Sequence, residues 1–309
     1  MGKKYSVAVD LGGTLIKAGI LDGTRLLESR SVEARSGSEL ARSLPMIKQL
    51  VSEMTDQYGI SKAEVMGFGI SFPGLVDPLQ NRVISTSGKY DDAPLLDLAH
   101  WAQESLGWPL VMENDARMTL IGEWQHGAGK DYEDLVMVTL GTGIGSAVLM
   151  NGSLLRGKHF QAGNLGGHFT VNFRGSLCKC GNLGCMETEA STWRLPDLVR
   201  QHPDFFSSSM REEPLLDFEC LFRHASEQDP VACQVLDHCY AVWSAGLITM
   251  IHAYDPEAII LGGGIMKSGE VIIPELQGRI NRHAWTPWGK VKLLPSKHIN
   301  TAALFGADY

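Results

Sequence analysis

Residues 5–21 read YSVAVDLGGTLIKAGIL, two largely apolar runs separated by Gly12-Gly13-Thr14. Such runs predict two neighbouring β-strands joined by a tight turn. Glycine lets the backbone approach a ligand closely and point its N–H groups at phosphate oxygens. Asp10 and Lys17 flank the turn, and a carboxylate such as Asp10 can hold Mg²⁺. The alternative is that these residues only close a hairpin.

Two further glycine turns follow strand-like sequence, at Gly141-Thr142-Gly143 and at Gly262-Gly263-Gly264. None of the three turns has the P-loop pattern GxxxxGK[ST], and none has the GxGxxG pattern of a dinucleotide-binding βαβ unit. One turn opens each half of the chain and the third comes late in the second half. This arrangement favours a phosphate-binding role over three unrelated hairpins.

The strand and helix patterns repeat between the two halves of the chain. Each half opens with three strand-like segments joined by tight turns, followed by helix-like and further strand-like sequence. The pattern predicts an α/β protein of two related lobes, divided into residues 1–115 and 116–309, with a cleft between them as the ligand site. The last helix, within residues 299–309, could pack back on the N-terminal lobe.

Composition and charge narrow the class of protein. The chain has 309 residues, 44% of them hydrophobic, and a formal net charge of -8. Nucleic-acid backbones attract a basic footprint, so a DNA or RNA partner is disfavoured. The sequence shows neither a signal peptide nor a stretch long and apolar enough for a membrane span. These features predict a cytoplasmic protein without a membrane partner.

Three of the six cysteines fall within eight residues. In a cytosolic chain such a cluster indicates metal binding more than disulfides. With a nearby histidine it offers three sulfur ligands and one nitrogen ligand, as in a closed tetrahedral zinc site. The alternative is free thiols near an unrelated histidine. The candidate ligands are His168, Cys178, Cys180 and Cys185.

Several of these segments together resemble the ROK family of the actin, hexokinase and heat-shock ATPase superfamily. The similar segments are DLGGTLIK, PGLVD, ENDA, LGTGIG, CKCGNLGCME and LGGGI, which begin at residues 10, 73, 113, 140, 178 and 261. The resemblance covers nearly the whole chain. It implies two ribonuclease-H-like (actin-like ATPase) lobes, an ATP-dependent sugar kinase using Mg²⁺, and a structural zinc. It also implies a homodimer or a higher homo-oligomer.

The resemblance also assigns roles to individual residues. It makes Asp115 the general base that accepts the proton of the sugar hydroxyl; the alternative is an N-cap role, which Asn114 could fill instead. It implies sugar contacts by Gly74, Asn114, His168 and Glu187. The nucleotide and its Mg²⁺ would be bound by Asp10, Gly12, Gly13, Thr14, Lys17, Gly141, Thr142, Gly143, Gly262, Gly263 and Gly264.

The chain departs from the family pattern at two sugar contacts. Leu165 stands where the family has a glutamate, and the neighbouring Asn164 could replace it only if the loop shifts. An asparagine that follows the Pro-Gly motif in the family is absent from the segment 85–90. Losing a charged hydrogen bond such as that of the glutamate costs about 1.5–3 kcal/mol of binding if nothing replaces it. We therefore hypothesise that the sugar is not glucose, or that the hydroxyl pattern differs.

A second reading of these losses is that the chain is a catalytically weak or inactive sugar-binding regulator. The presence of Asp10, Asp115 and all three glycine turns favours the kinase, because a binder needs neither a base nor a nucleotide site. A scaffold without a ligand has little support. The sequence leaves open the sugar, the phosphorylated hydroxyl, the phosphate donor and the number of subunits.

Overall fold

The computed structural model describes residues 4–37, 39–86 and 88–308. The chain forms two compact units, and its elements are numbered here in chain order. Unit 1 consists of Met1–Asp131, Arg156–Ala162 and Asn300–Tyr309. Unit 2 consists of Tyr132–Leu155 and Gly163–Ile299.

Unit 1 is built on a five-stranded sheet of described residues. Its strands are β1 (Tyr5–Leu11), β2 (Leu15–Asp22), β3 (Arg25–Glu33), β4 (Val65–Phe72) and β7 (Leu110–Asn114). They lie in the order β3-β2-β1-β4-β7. Strand β2 is antiparallel to both of its neighbours, β1 and β3, whereas β4 and β7 are parallel to β1. A separate hairpin pairs β5 (Gly74–Asp77) with β6 (Arg82–Thr86). The predicted opening meander is therefore present.

The helices of unit 1 cover its sheet with apolar faces. They are α1 (Leu44–Gln57), α2 (Leu98–Ser105), α3 (Asp115–His126) and α9 (Ala302–Phe305). The helical spacing of apolar residues over 36–58 predicts the first of them, but α1 begins at Leu44, with Pro45 in its first turn. Proline lacks the N–H that a helix interior needs, so it favours this position. Helix α1 buries the predicted apolar face, at Leu44, Ile47, Leu50, Val51 and Met54.

Unit 2 contains a five-stranded sheet with the same pattern of strand directions. Its described strands are β8 (Leu135–Leu140), β9 (Ile144–Met150), β10 (Ser153–Leu154), β11 (Ala258–Gly262) and β12 (Lys292–Pro295). They lie in the order β10-β9-β8-β11-β12. Strand β9 is antiparallel to both of its neighbours, β10 and β8, whereas β11 and β12 are parallel to β8. The helices are α4 (Met186–Ala190), α5 (Leu195–Arg200), α6 (Phe218–Ser226), α7 (Pro230–Tyr254) and α8 (Gly269–His283).

The second half differs from the sequence prediction in its helices. The sequence over 188–200 predicts one helical stretch, but the chain forms α4 and α5, and Pro196 lies in the first turn of α5. Helices α6 and α8 were not predicted. The apolar residues 241–254 predict a buried core helix; they form the C-terminal part of α7, which buries Val242, Trp243, Leu247, Met250 and Ile251. None of the described helices has both the length and the apolar character needed to span a bilayer.

The predicted division at residue 115 assigns nearly all of helix α3 to the C-terminal lobe, but the helix belongs to unit 1. It packs against α9, and a Cβ atom on Gly122 would lie 1.9 Å from the carbonyl oxygen of Ala302. Both helices belong to unit 1, so the compact units divide near residue 131 and not at 115. The last helix joins unit 1, and Tyr309, where the predicted tail ends, lies outside the described residues.

Candidate active site

Asp10 lies near the end of β1 in unit 1, where β1 and β4 run side by side. The hydroxyl of Ser71 on β4 donates a hydrogen bond of 2.7 Å to its carboxylate. Although Asp10 is only half-buried, desolvation raises the pKa of its carboxyl, and Ser71, Lys17 and Lys89 act in the opposite direction. An anion held in this way gains from a bound cation.

The first glycine turn follows directly and is held from both sides. The hydroxyl of Ser36 donates to the carbonyl oxygen of Gly13 at 2.6 Å, and that of Tyr90 donates to the carbonyl oxygen of Gly12 at 3.1 Å. A Cβ on Gly12 would lie 2.5 Å from the oxygen of Leu15, so a larger residue would not fit. Thr14 is exposed at the end of the turn. The Lys17 amine donates to the carbonyl oxygen of Asn300 at 2.9 Å.

Asn114 connects two other predicted site residues of unit 1, Gly74 and Asp115. It is the last residue of β7 and caps α3, where its side-chain oxygen accepts from the N–H groups of Ala116 and Arg117. Its amide nitrogen donates to the carbonyl oxygen of Gly74 at 3.0 Å and to the Asp115 carboxylate at 2.9 Å. The cap role therefore falls to Asn114, and it leaves Asp115 in the first turn of the helix.

The surroundings of Asp115 change the pKa of its carboxyl. Burial and then the negative charge of Asp10 raise its pKa to about 6. The N–H of Ala116, Lys89 and Asn114 oppose the rise and do not cancel it. A carboxyl with a pKa near 6 is a better proton acceptor than an ordinary aspartate and is still ionised at neutral pH. Asp115 and Asp10 therefore influence each other within unit 1.

Lys89 also belongs to this region, although it lies in the segment 85–90, which diverges from the family pattern and to which the sequence assigned no role. A Cβ on Gly13 would lie 3.0 Å from Lys89 Cε and 3.1 Å from its Nζ. The segment turns sharply at Gly88 and Tyr90, which have φ angles of 78° and 55°. The glycine was a visible turn signal, but it did not indicate where the lysine points. Ser87 of the same segment lies outside the described residues.

In unit 2 the second glycine turn lies against Glu187. The carboxylate of Glu187 accepts from the N–H of Ile144 at 2.8 Å, and a Cβ on Gly143 would lie 2.5 Å from one of its oxygens. Gly141 and Thr142 offer their carbonyl oxygens to the N–H groups of residues 192 and 193. Glu187, predicted as a sugar contact, therefore also supports this turn.

The third glycine turn comes next to the second one. A Cβ on Gly141 would lie 3.8 Å from the nitrogen of Gly264, and a Cβ on Gly263 would lie 2.3 Å from the oxygen of Leu140. Gly263 has a φ of 90°, which glycine adopts at little cost. Gly262 ends β11 and pairs with Thr139 of β8. Beyond this turn lies a groove of about 340 Å³, lined by Phe222, Ala225, Ser226, Leu236, Lys267, Ser268, Glu270 and Val271.

The loop that carries His168 contains a polar atom without a partner. The side-chain oxygen of Asn164 is buried and accepts no hydrogen bond from any described residue. Ser146 fixes this loop, because its hydroxyl donates to the oxygen of Gly163 at 2.7 Å and accepts from the N–H of Gly166 at 2.8 Å. Leu165 is 41% exposed. The unpaired oxygen of Asn164 suits a donor such as a ligand hydroxyl.

His168, Cys178, Cys180 and Cys185 come together in unit 2, with all four ligand atoms within 4.8 Å of one another. His168 Nδ1 lies 3.6 Å from the Cys178 sulfur, and the sulfurs of Cys180 and Cys185 are also 3.6 Å apart. A tetrahedron with Zn–S bonds of about 2.3 Å has edges of about 3.8 Å. These residues therefore fit a tetrahedral zinc ion.

A second group of potential ligands is already occupied by hydrogen bonds. His224 Nε2 lies 2.8 Å from the Glu213 carboxylate, and Nδ1 lies 2.7 Å from the Ser209 hydroxyl. Glu213, Cys220 and His224 form the other candidate metal group among the described residues. Because both ring nitrogens have partners, we assign this group to packing of the 209–229 region.

Comparisons with known proteins agree with the fold. A model of the ROK family matches residues 6–309. A glucokinase from Thermotoga maritima is 29% identical, with 99% of this chain and 97% of that protein covered. A xylose repressor from Bacillus subtilis is also 29% identical, with coverage of 98% and 75%.

The solved structures include a ROK family glucokinase from Streptomyces griseus in complex with glucose and AMPPNP. It is 28% identical, covers 98% of this chain and 97% of its own, and has a TM-score of 0.82. The match confirms the predicted fold class, an α/β protein with two lobes.

Proposed function

The chain belongs to the ROK family, and from this premise we propose that it is an ATP-dependent kinase that phosphorylates a hydroxyl of a hexose or a hexose derivative. The observation that carries the proposal is the carboxyl of Asp115, whose pKa is raised to about 6 by burial and by Asp10. Such a group is ionised at neutral pH and accepts a proton readily as the new phosphate bond forms.

Asp115 acts as the general base in this proposal. The side chain of Asn114 and the N–H of Ala116 hold one of its oxygens, which orients the carboxylate at the start of α3. Phosphoryl transfer requires little covalent help from the protein, so orientation and charge are the main contributions. Gly74 and Asn114 lie beside the base and are proposed to contact the sugar.

The nucleotide is assigned to the glycine turns and Asp10. Asp10 would hold Mg²⁺, since its carboxylate is half-exposed and desolvation raises its pKa, so a bound cation would stabilise the ionised form. When bound, Mg²⁺ neutralises phosphate charge. Gly12, Gly13, Thr14, Gly141, Thr142 and Gly143 would contact phosphates, with Lys17 flanking the first turn. Gly262, Gly263 and Gly264 would lie near adenosine, and the groove beyond them has apolar walls suited to a base.

The sugar contacts that the chain keeps and lacks bear on the class of sugar. Asn164 offers an unpaired oxygen, and His168 and Glu187 are proposed as further sugar contacts in unit 2. Leu165 offers no polar group where the family has a glutamate. We therefore propose an acceptor other than glucose, with a different hydroxyl pattern or a substituent.

The zinc is proposed to be structural. Three thiolates and one imidazole complete a tetrahedron, so no position is left for a water molecule. Gly184 permits the tight loop, because a Cβ there would lie 1.6 Å from the oxygen of Asn172. The ion would hold the loop before Glu187 and contribute to folding. We also propose a cytoplasmic homodimer or higher homo-oligomer without a nucleic-acid partner.

A second candidate function is a sugar-binding regulator with weak or no activity. The observation that favours it is the similarity to the xylose repressor, together with the two missing sugar contacts. The retained base and nucleotide turns favour the kinase.

The test is turnover of Mg·ATP against a panel of hexoses, amino sugars and N-acetylated sugars, followed by ADP release. Asp115→Asn should abolish sugar-dependent turnover, while Asp56→Asn, at an exposed position on α1, should not change it. Glucose as the best substrate would contradict the proposed specificity. Sugar binding without turnover by any sugar, in protein that binds ATP and one zinc, would support the regulator.

A further inference from the structure

Lys89 is held against the first glycine turn by its loop. The N–H of Tyr90 donates to the oxygen of Ser36 at 2.9 Å, while Ser36 in turn holds Gly13. The Tyr90 hydroxyl donates to the oxygen of Gly12, and burial followed by the charge of Asp10 raises the pKa of Tyr90 to about 12, so the phenol keeps its proton. The position of Lys89 is therefore set by the turn itself.

The ammonium group of Lys89 has no protein partner among the described residues. It forms no hydrogen bond and no ion pair there, whereas Lys17, the other lysine that acts on Asp10, donates to Asn300. Lys89 is half-buried, and its last two side-chain atoms approach Gly13. An ammonium group is strongly hydrated, so partial burial without a direct hydrogen-bond or ion-pair partner costs free energy, which an anionic ligand in contact with the amine would offset.

The electrostatic surroundings indicate which anion would bind. Lys89 lowers the pKa of both Asp10 and Asp115, the proposed Mg²⁺ ligand and the proposed base. Both carboxyls are negatively charged when ionised, so together they repel an incoming phosphate. The phosphoryl group in transfer passes between the metal side and the base side of such a site. A lysine that acts on both carboxylates is placed to balance the negative charge of the phosphoryl group.

We propose that Lys89 is a catalytic residue that binds an oxygen of the terminal phosphoryl group of the donor. The inference rests on the proposed kinase function. The chemical class of the ligand is a phosphate oxygen, which a compact ammonium charge binds well. The competing source of an anion is an acidic group on the acceptor. The donor is favoured because the amine lies on Gly13, whereas the atoms nearest to Gly74 belong to Ser85 and Phe72.

The test compares a nucleotide that carries the third, γ-phosphoryl group with one that lacks it. Calorimetry would measure the Kd of Mg·AMPPNP and of Mg·ADP for the full-length protein and for Lys89→Met, Lys89→Arg and Lys48→Met. Lys48 is an exposed lysine of α1 and serves as the matched control. Lys89→Met should weaken Mg·AMPPNP by about tenfold or more, the loss of one charged contact, and Mg·ADP by less than about twofold. Lys89→Arg should restore most of the difference, and Lys48→Met should change neither Kd.

The alternative outcomes separate this inference from the proposed function. An unchanged ratio of the two Kd values in Lys89→Met would overturn it, even if the protein is a kinase. If that variant instead raises the KM of an acidic sugar over a neutral one and leaves the ratio alone, the lysine belongs to the acceptor. A wild-type protein that binds neither nucleotide would overturn both proposals.

Discussion

Asp115→Asn should make the ligand-free protein more stable at neutral pH while removing its catalytic base. The Asp115 carboxylate is disfavoured in the folded state, because burial and the charge of Asp10 raise its pKa from 3.8 to about 6. Asparagine has nearly the same shape and carries no charge. Its oxygen can still accept from the N–H of Ala116, which donates to Asp115 at 2.8 Å.

The magnitude follows from the two pKa values. One pH unit corresponds to about 1.4 kcal/mol, so a rise from 3.8 to about 6 corresponds to at most about 3 kcal/mol. Asp115 is partly open to solvent, which reduces the effect, and we expect a gain of about 1–2 kcal/mol. That gain should raise the Tm by about 2–6 °C.

The sign of the pH dependence is fixed by linkage. Because the folded pKa is the higher one, the folded protein retains a proton that the unfolded chain has released. The stability contributed by Asp115 is therefore lost as the pH rises from about 4 to about 6. The advantage of the variant should be full at pH 7.5, about half as large at pH 5 and nearly absent below pH 4.

The assay is thermal unfolding of both proteins without ligands or added Mg²⁺ at pH 7.5, 5 and 4. Asp56→Asn is the control for a change of one charge, because Asp56 is exposed and should give the same Tm as the wild type within about 1 °C. A variant that is less stable than the wild type at pH 7.5, or an advantage that does not shrink at low pH, would refute the reasoning.

Three further predictions concern the rate, the metal and the packing. First, kcat/KM for the best sugar should rise about tenfold per pH unit below pH 6 and level off above it, because Asp115 must lose its proton; a flat profile from pH 5 to 8 would contradict this. Second, the purified protein should contain one zinc per chain by elemental analysis, and Cys178→Ser should lose the zinc and lower the Tm by several degrees, whereas Cys233→Ser should keep the metal; equal zinc content in both variants would exclude the assigned ligands. Third, Gly122→Ala should destabilise the protein by about 1–3 kcal/mol or more, because its Cβ would lie 1.9 Å from the oxygen of Ala302, whereas Gly278→Ala on α8, with open space around it, should stabilise it by about 0.5–1 kcal/mol. Similar urea midpoints for those two variants would show that α3 does not pack closely on α9.

The sequence alone determined the features that depend on neighbouring residues. Alternating apolar residues predicted strands and glycine pairs predicted turns, because the alternation of side chains along a strand and the positive φ of a turn are local properties. Asn114 before a helix predicted a cap, and Asn114 accepts from two N–H groups there. Three cysteines within eight residues predicted a metal group, since so short a loop keeps its thiols close together whatever the rest of the chain does.

The tertiary structure decided the features that depend on residues far apart in the chain. It placed α3 in unit 1 by packing it on α9, about 180 residues later. It set Glu187 beside Gly143 and turned Lys89 onto Gly13. It also raised the pKa of Asp115, which no local pattern could reveal, because desolvation and the field of Asp10 depend on which side chains surround the carboxyl once the sheet has formed.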